Sequence, residues 1–222
     1  MKKIFVSAIV ALALSATAAS AATLTLFGGD TGNAVPFNFG PLRDVNGPVA
    51  TPTNLEAPVT IFDEDDGAGS GLVVSGAEMV RVTLTYLGYE AGNTNSGASK
   101  LSIFGDGFFQ NTVSVTGDQV SFTQAAGTGT LVSLFFETLG EITEPCTIDN
   151  GGSLGSTCQI AFSSIFNNGM STYAMFGDGL GDSDLDDLVF RVDVAAVPLP
   201  ASALLLLAGL GGLGAVARRK KA

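Results

Sequence analysis

A chain of 222 residues with 46% hydrophobic side chains is large enough to fold around a core of its own. Its 21 acids against ten bases give a formal net charge of −11, and histidine is absent. That charge excludes nucleic acid and anionic lipid as natural partners and favours cations, while the missing imidazole excludes a Ser-His-Asp triad and histidine-based zinc sites. The charges are also segregated. Six of the ten bases lie at the two ends (Lys2, Lys3, Arg218, Arg219, Lys220, Lys221), and all 21 acids lie between them, where the only bases are Arg43, Arg81, Lys100 and Arg191.

Residues 1–22 have the three parts of a secretory signal peptide: Lys2 and Lys3, an apolar stretch from Ile4 to Leu14, and small residues from Ser15 to Ala22 that offer cleavage near Ala21 or Ala22. A transmembrane anchor needs about 20 apolar residues, and this run is roughly half that.

Residues 23–196 form the acidic ectodomain. Strand patterns occur at Leu24 to Phe27, Val59 to Phe62, Leu72 to Ser75, Leu101 to Phe104, Leu131 to Thr138, Gln159 to Phe166 and Thr172 to Phe176. Val80 to Tyr86 alternates, with Val80, Val82, Leu84 and Tyr86 on one face, and Leu188 to Val194 repeats the pattern. Thr112 to Thr116 and Gln119 to Thr123 read as a hairpin turning at Gly117-Asp118. The segment 31–58, with five prolines, reads as an irregular loop, an edge segment or a flexible arm. Many short strands punctuated by Gly, Asn and Asp predict an all-β fold, a β-sandwich or jelly roll.

Cys146 and Cys158 are the only cysteines, and in an exported domain they are expected to pair, closing a Gly- and Ser-rich loop. A redox-active pair is the alternative, at a spacing far from Cys-x-x-Cys. The acidic run before the last strand places Asp178, Asp182, Asp184, Asp186 and Asp187 close together. Such carboxylates repel unless a hard cation neutralises them, so the run is a candidate Ca²⁺ site; a solvated turn is the other reading. The EF-hand template fails, with Asp187 at the glycine position and Asp193 where Glu belongs. A second acidic loop, Asp63 to Asp66, precedes a Gly-rich stretch.

At the other end, Val197, Pro198, Leu199, Pro200 and Ala201 precede a run to Ala217 of Ala, Leu, Gly and Val with one Ser. From Ala201 this run spans about 25 Å as a helix, the short end of what crosses a bilayer. Arg218, Arg219, Lys220 and Lys221 would hold its end in the cytoplasm, leaving the body outside. The two prolines favour an extended, accessible peptide just outside the membrane, which suits a processing enzyme. Residues 197–222 resemble the PEP-CTERM class of bacterial sorting signals, in a Val-Pro-Leu-Pro-Ala variant. The resemblance implies export in a Gram-negative bacterium, recognition by an exosortase-like transpeptidase, removal of the helix and transfer to the cell surface or the extracellular space. An uncleaved anchor is the alternative.

Enzyme templates are sparse. Gly151-Gly152-Ser153-Leu154-Gly155 matches a nucleophile-elbow pattern without its strand-to-helix setting. Glu137 with Glu141 or Glu144 is the only clustered glutamate set that a carboxylate-based glycoside hydrolase would use. The first reading is therefore a non-enzymatic surface or matrix protein, with Ca²⁺ as a candidate ordering ion, contributing to the envelope or an exopolysaccharide layer. A glycan-binding module is the second reading, limited by the absence of Trp and by only three Tyr.

Overall fold

The computed structural model describes residues 21–31, 41–52, 55, 59–62, 69–90, 94–98, 108–139, 147–153, 158–177, 185–198 and 209. The amino-terminal half holds β1 (Thr23–Phe27), β2 (Asp30–Thr31), β3 (Arg43–Asp44), β4 (Gly47–Pro48), β5 (Val59–Phe62), β6 (Gly71–Ser75), β7 (Met79–Gly88) and β8 (Thr94–Ala98). The remainder holds β9 (Phe108–Gln110), β10 (Gln119–Ala125), β11 (Thr130–Leu131), β12 (Phe135–Leu139), β13 (Thr147–Asp149), β14 (Gly152–Ser153), β15 (Gln159–Ser163), β16 (Ser171–Gly177) and β17 (Leu188–Ala196). Every strand pairing among them is antiparallel.

The largest sheet runs β10-β7-β17-β16-β15-β5-β2. A five-stranded sheet, β14-β13-β12-β8-β9, and a three-stranded one, β1-β6-β11, supply the other side of the main core. The expected alternation explains the assembly: Val80, Val82, Leu84 and Tyr86 of β7, with Leu188, Phe190, Val192 and Val194 of β17, all point into that core. Facing them are Leu24, Leu72 and Val74 from the small sheet and Phe109 and Phe136 from the five-stranded one. The architecture is a sandwich-like all-β fold with open sheets.

With no Trp, phenylalanine joins the layers. Phe136 of β12 stacks on Phe176 of β16 at 5.2 Å and on Phe190 of β17 at 5.1 Å, and Phe190 meets Phe109 at 5.2 Å. Phe109 in turn stacks on Tyr86 at 5.6 Å. Such contacts add about 0.5–1.5 kcal/mol each beyond the area they bury.

The Pro-containing segment is more than a loop where it is described. Leu42 and Leu55 are fully buried against Val59, Ala161, Met175 and Val189, on the outward side of the large sheet. Arg43 and Tyr89 exchange backbone hydrogen bonds of 2.9 Å in both directions, which fixes the β3–β4 hairpin to the end of β7. Because of this second apolar layer β16 is buried on both faces, and Val189, expected outside, has no exposed surface.

Three expectations need correction. Thr112 to Thr116 is a turn: Val113 is 65% exposed, so its alternation serves no core, and the Val113 and Ser114 N–H groups donate to the Gln110 carbonyl at 3.0 and 2.8 Å. Strand pairing begins only at Gln119, which faces Thr85. The run from Leu131 to Thr138 divides between two sheets, as β11 and β12, and β15 stops at Ser163. The expected strand from Leu101 to Phe104 lies outside the described residues, as do residues 1–20 of the signal peptide. Among the described residues no helix is long and apolar enough to cross a membrane, and the apolar tail lies outside them apart from Gly209.

Candidate functional site

The junction between fold and tail is built from β7 and β17. These strands pair from Val189 through Ala196, and the Val197 N–H then donates to the Met79 carbonyl at 2.9 Å. Pro198 follows, exposed and without an N–H, so it can add no further rung to the ladder. The expected motif therefore starts one residue beyond the last strand, with no spacer. Leu199, Pro200, Ala201 and the basic residues Arg218, Arg219, Lys220 and Lys221 lie outside the described residues.

At the opposite end of the same two strands lies the close of the acidic run. Asp186 and Asp187 are buried, at 1% and 5% exposure, rather than solvated, and the Glu90 N–H donates to the Asp186 carbonyl at 2.8 Å. Glu90 was not a sequence candidate, because it is distant in the chain and belongs to no acidic run. Its Oε2 is buried and has no hydrogen-bond partner among the described residues. Asp178, Asp182 and Asp184 lie outside the described residues. Among those described, no three acidic or cysteine side chains are grouped to hold a metal.

The other sequence candidates are dispersed. Glu137 lies mid-strand in β12, facing Ser96 and Thr147, and Glu141 and Glu144 lie outside the described residues. Cys158 is 1% exposed at the start of β15, and no described cysteine is a free thiol; Cys146 lies outside the described residues.

Another acid, Asp44, organises a turn. Asp44 accepts the Asn46 N–H at 2.7 Å through Oδ1 and the Thr116 N–H at 2.9 Å through Oδ2. The Thr116 bond most of all, together with the Asn46 and Gly47 amides, holds its carboxyl below the usual aspartate range against the opposing effect of burial. This is a structural brace from β3 to the loop before β10.

Sequence reasoning missed an open groove of about 800 Å³ on the solvent side of the three-stranded sheet. Its floor is the cross-strand row Thr25, Val73 and Leu131, one residue from each strand. Phe27, 65% exposed, stands at one end opposite Gly71, and Thr128 and Thr130 form part of the lining. Gly71 has φ +148°, and a Cβ there would collide with the Asn150 side chain. Among the described residues the lining carries no charge. An exposed Phe in a short strand gives no signal of this arrangement until β6 and β11 are placed beside it.

Comparison with known proteins finds one family match: residues 196–221 fit the PEP-CTERM protein-sorting motif. No curated protein and no solved structure matches the chain.

Proposed function

We propose that this chain, which carries a PEP-CTERM protein-sorting motif at its carboxy terminus, is a non-enzymatic envelope or matrix protein of a Gram-negative bacterium, its acidic β-domain being the cargo of the signal. The observation that carries the reading is the position of the motif, which follows a folded, antiparallel domain without a spacer. In this reading residues 1–22 are removed on export and residues 23–196 form the ectodomain. An exosortase-like transpeptidase recognises Val197, Pro198, Leu199, Pro200 and Ala201 as a Val-Pro-Leu-Pro-Ala variant. The apolar run after them is the temporary membrane span, and Arg218 to Lys221 hold it from the cytoplasmic side. Cys146 and Cys158 form a disulfide, which stabilises the domain by about 3 kcal/mol on the chain-entropy account.

Mass spectrometry of the protein recovered from its native host tests these points together. The expected product starts at Ala22 or Thr23, ends within or next to Val197 to Ala201, and gains two free thiols only on reduction. A terminus still at Ala222 sinks the sorting reading, and two free thiols before reduction sink the disulfide.

We infer further that Asp178, Asp182, Asp184, Asp186 and Asp187 bind Ca²⁺, a reading supported by the burial of Asp186 and Asp187 at the close of the acidic run. Buried carboxylate oxygens are costly unless a cation or a donor reaches them. Millimolar Ca²⁺ is then expected to stabilise the protein by about 1–3 kcal/mol over chelator, and Asp186→Asn to diminish the gain. Identical melting in Ca²⁺ and in chelator removes the metal from the account.

A further inference from the structure

The groove on the three-stranded sheet has a defined chemistry. Its polar groups are backbone amides and the hydroxyls of Thr25, Thr128 and Thr130, and its apolar groups are the Phe27 ring and the side chains of Val73 and Leu131. Thr130 already donates its hydroxyl to the Ala126 carbonyl at 2.8 Å, so its oxygen faces a ligand as an acceptor. Thr25 and Thr128 make no side-chain hydrogen bond among the described residues and can donate or accept. The framework around them is braced: Asn150 accepts the Leu72 N–H at 2.6 Å, and the Gln124 amide donates to the Leu131 carbonyl at 3.0 Å.

We propose that this groove binds a neutral polysaccharide chain. A pyranose ring has an apolar C–H face and a rim of hydroxyls, which match one exposed aromatic ring, the aliphatic Val73 and Leu131 of the floor, and the hydroxyls of Thr25, Thr128 and Thr130. The charge pattern selects the neutral class. Among the described bases, none of Arg43, Arg81 or Arg191 lines the groove, so a uronate or sulfated sugar would bring an anion with no partner among them to a chain of net charge −11. A second copy of the chain is disfavoured by the same net charge, and an alkyl chain would leave the threonine hydroxyls unpaired. The volume of about 800 Å³ lies within the range of small-molecule sites. The proposal needs the surface reading only to say where the polysaccharide is met.

The test is a calorimetric titration of the full chain in detergent micelles with neutral hexasaccharides of glucose, mannose, galactose and N-acetylglucosamine, and with hexagalacturonate. At least one neutral hexasaccharide is expected to bind, with hexagalacturonate weaker by about ten-fold or more. Phe27→Ala is expected to weaken that binding by about ten-fold while leaving the melting temperature unchanged, because the ring is 65% exposed, and Phe27→Tyr is expected to retain it. Binding by none of the four, equal binding of hexagalacturonate, or wild-type affinity in Phe27→Ala each overturns the proposal. So does self-association in sedimentation that Phe27→Ala abolishes, since the groove would then hold a second copy. The mature termini are read separately, so a failed titration leaves the sorting reading standing.

Discussion

Tyr86 shows how one polar atom can oppose a well-packed ring. Its side chain is fully buried and stacked on Phe109, yet its hydroxyl has no hydrogen-bond partner among the described residues. Burial first, then the neighbouring Tyr89, Asp44 and Asp118, push the hydroxyl well above the usual tyrosine range. Tyr86→Phe keeps the ring and deletes the unpaired group, so stability measured by urea unfolding is expected to rise by about 1–2 kcal/mol. A fall would mean that the hydroxyl is satisfied in solution. The sign with pH is also set: the folded-state value is raised, so the contribution is intact below the ordinary value of 10.0 and is lost as pH climbs from there towards the folded-state value. The variant should be less sensitive to alkali. The inward direction of Tyr86 was legible from the alternation of β7, because side-chain period decides the face. The unpaired hydroxyl was not, because it depends on what the five-stranded sheet places opposite.

At the scale of elements, Asn150 joins two sheets that share no strand. Its Oδ1 accepts the Leu72 N–H at 2.6 Å, and its Nδ2 donates to the Leu72 and Val132 carbonyls, each at 2.7 Å. Its own N–H donates to the Leu134 carbonyl at 3.0 Å. A side-chain amide thus supplements β11 beside β6 at Leu72, and binds β6 to the turn after β13. Asn150→Ala leaves Leu72 and Val132 short of buried partners, and a loss of about 2–4 kcal/mol in denaturant unfolding is expected. An unchanged midpoint would mean that water replaces the amide. Nothing local in Asp149-Asn150-Gly151 separates this role from that of an ordinary turn asparagine. The same limit applies to β8, Thr94–Ala98, which has no apolar alternation and pairs with β12 and β9 because those neighbours supply its hydrogen bonds. The opposite error occurred at Val113 and Val115, whose spacing has the period of a strand but whose side chains meet no core.

Across the whole molecule, the last strand is also an inner one. β17 lies between β7 and β16, so the large sheet cannot close until the chain through Ala196 is available to it. On the proposed route, with export amino terminus first, the sheet would be completed as the sorting motif arrives outside the membrane, and Val197 would then be held on Met79. That order explains why the expected mature terminus falls so close to the fold: cleavage within Val197 to Ala201 would leave β17 whole. The sequence alone established the all-β class, the inward faces of β7 and β17, the charge segregation and the PEP-CTERM tail, because period, composition and a short linear motif are local properties of the chain. Only the tertiary structure decided that the Pro-containing segment covers the large sheet, that Glu90 stands beside Asp186, and that Phe27 shares a groove with Val73 and Leu131. Each of these joins residues far apart in the chain, and their meeting depends on strand order and register, which no window of the sequence contains.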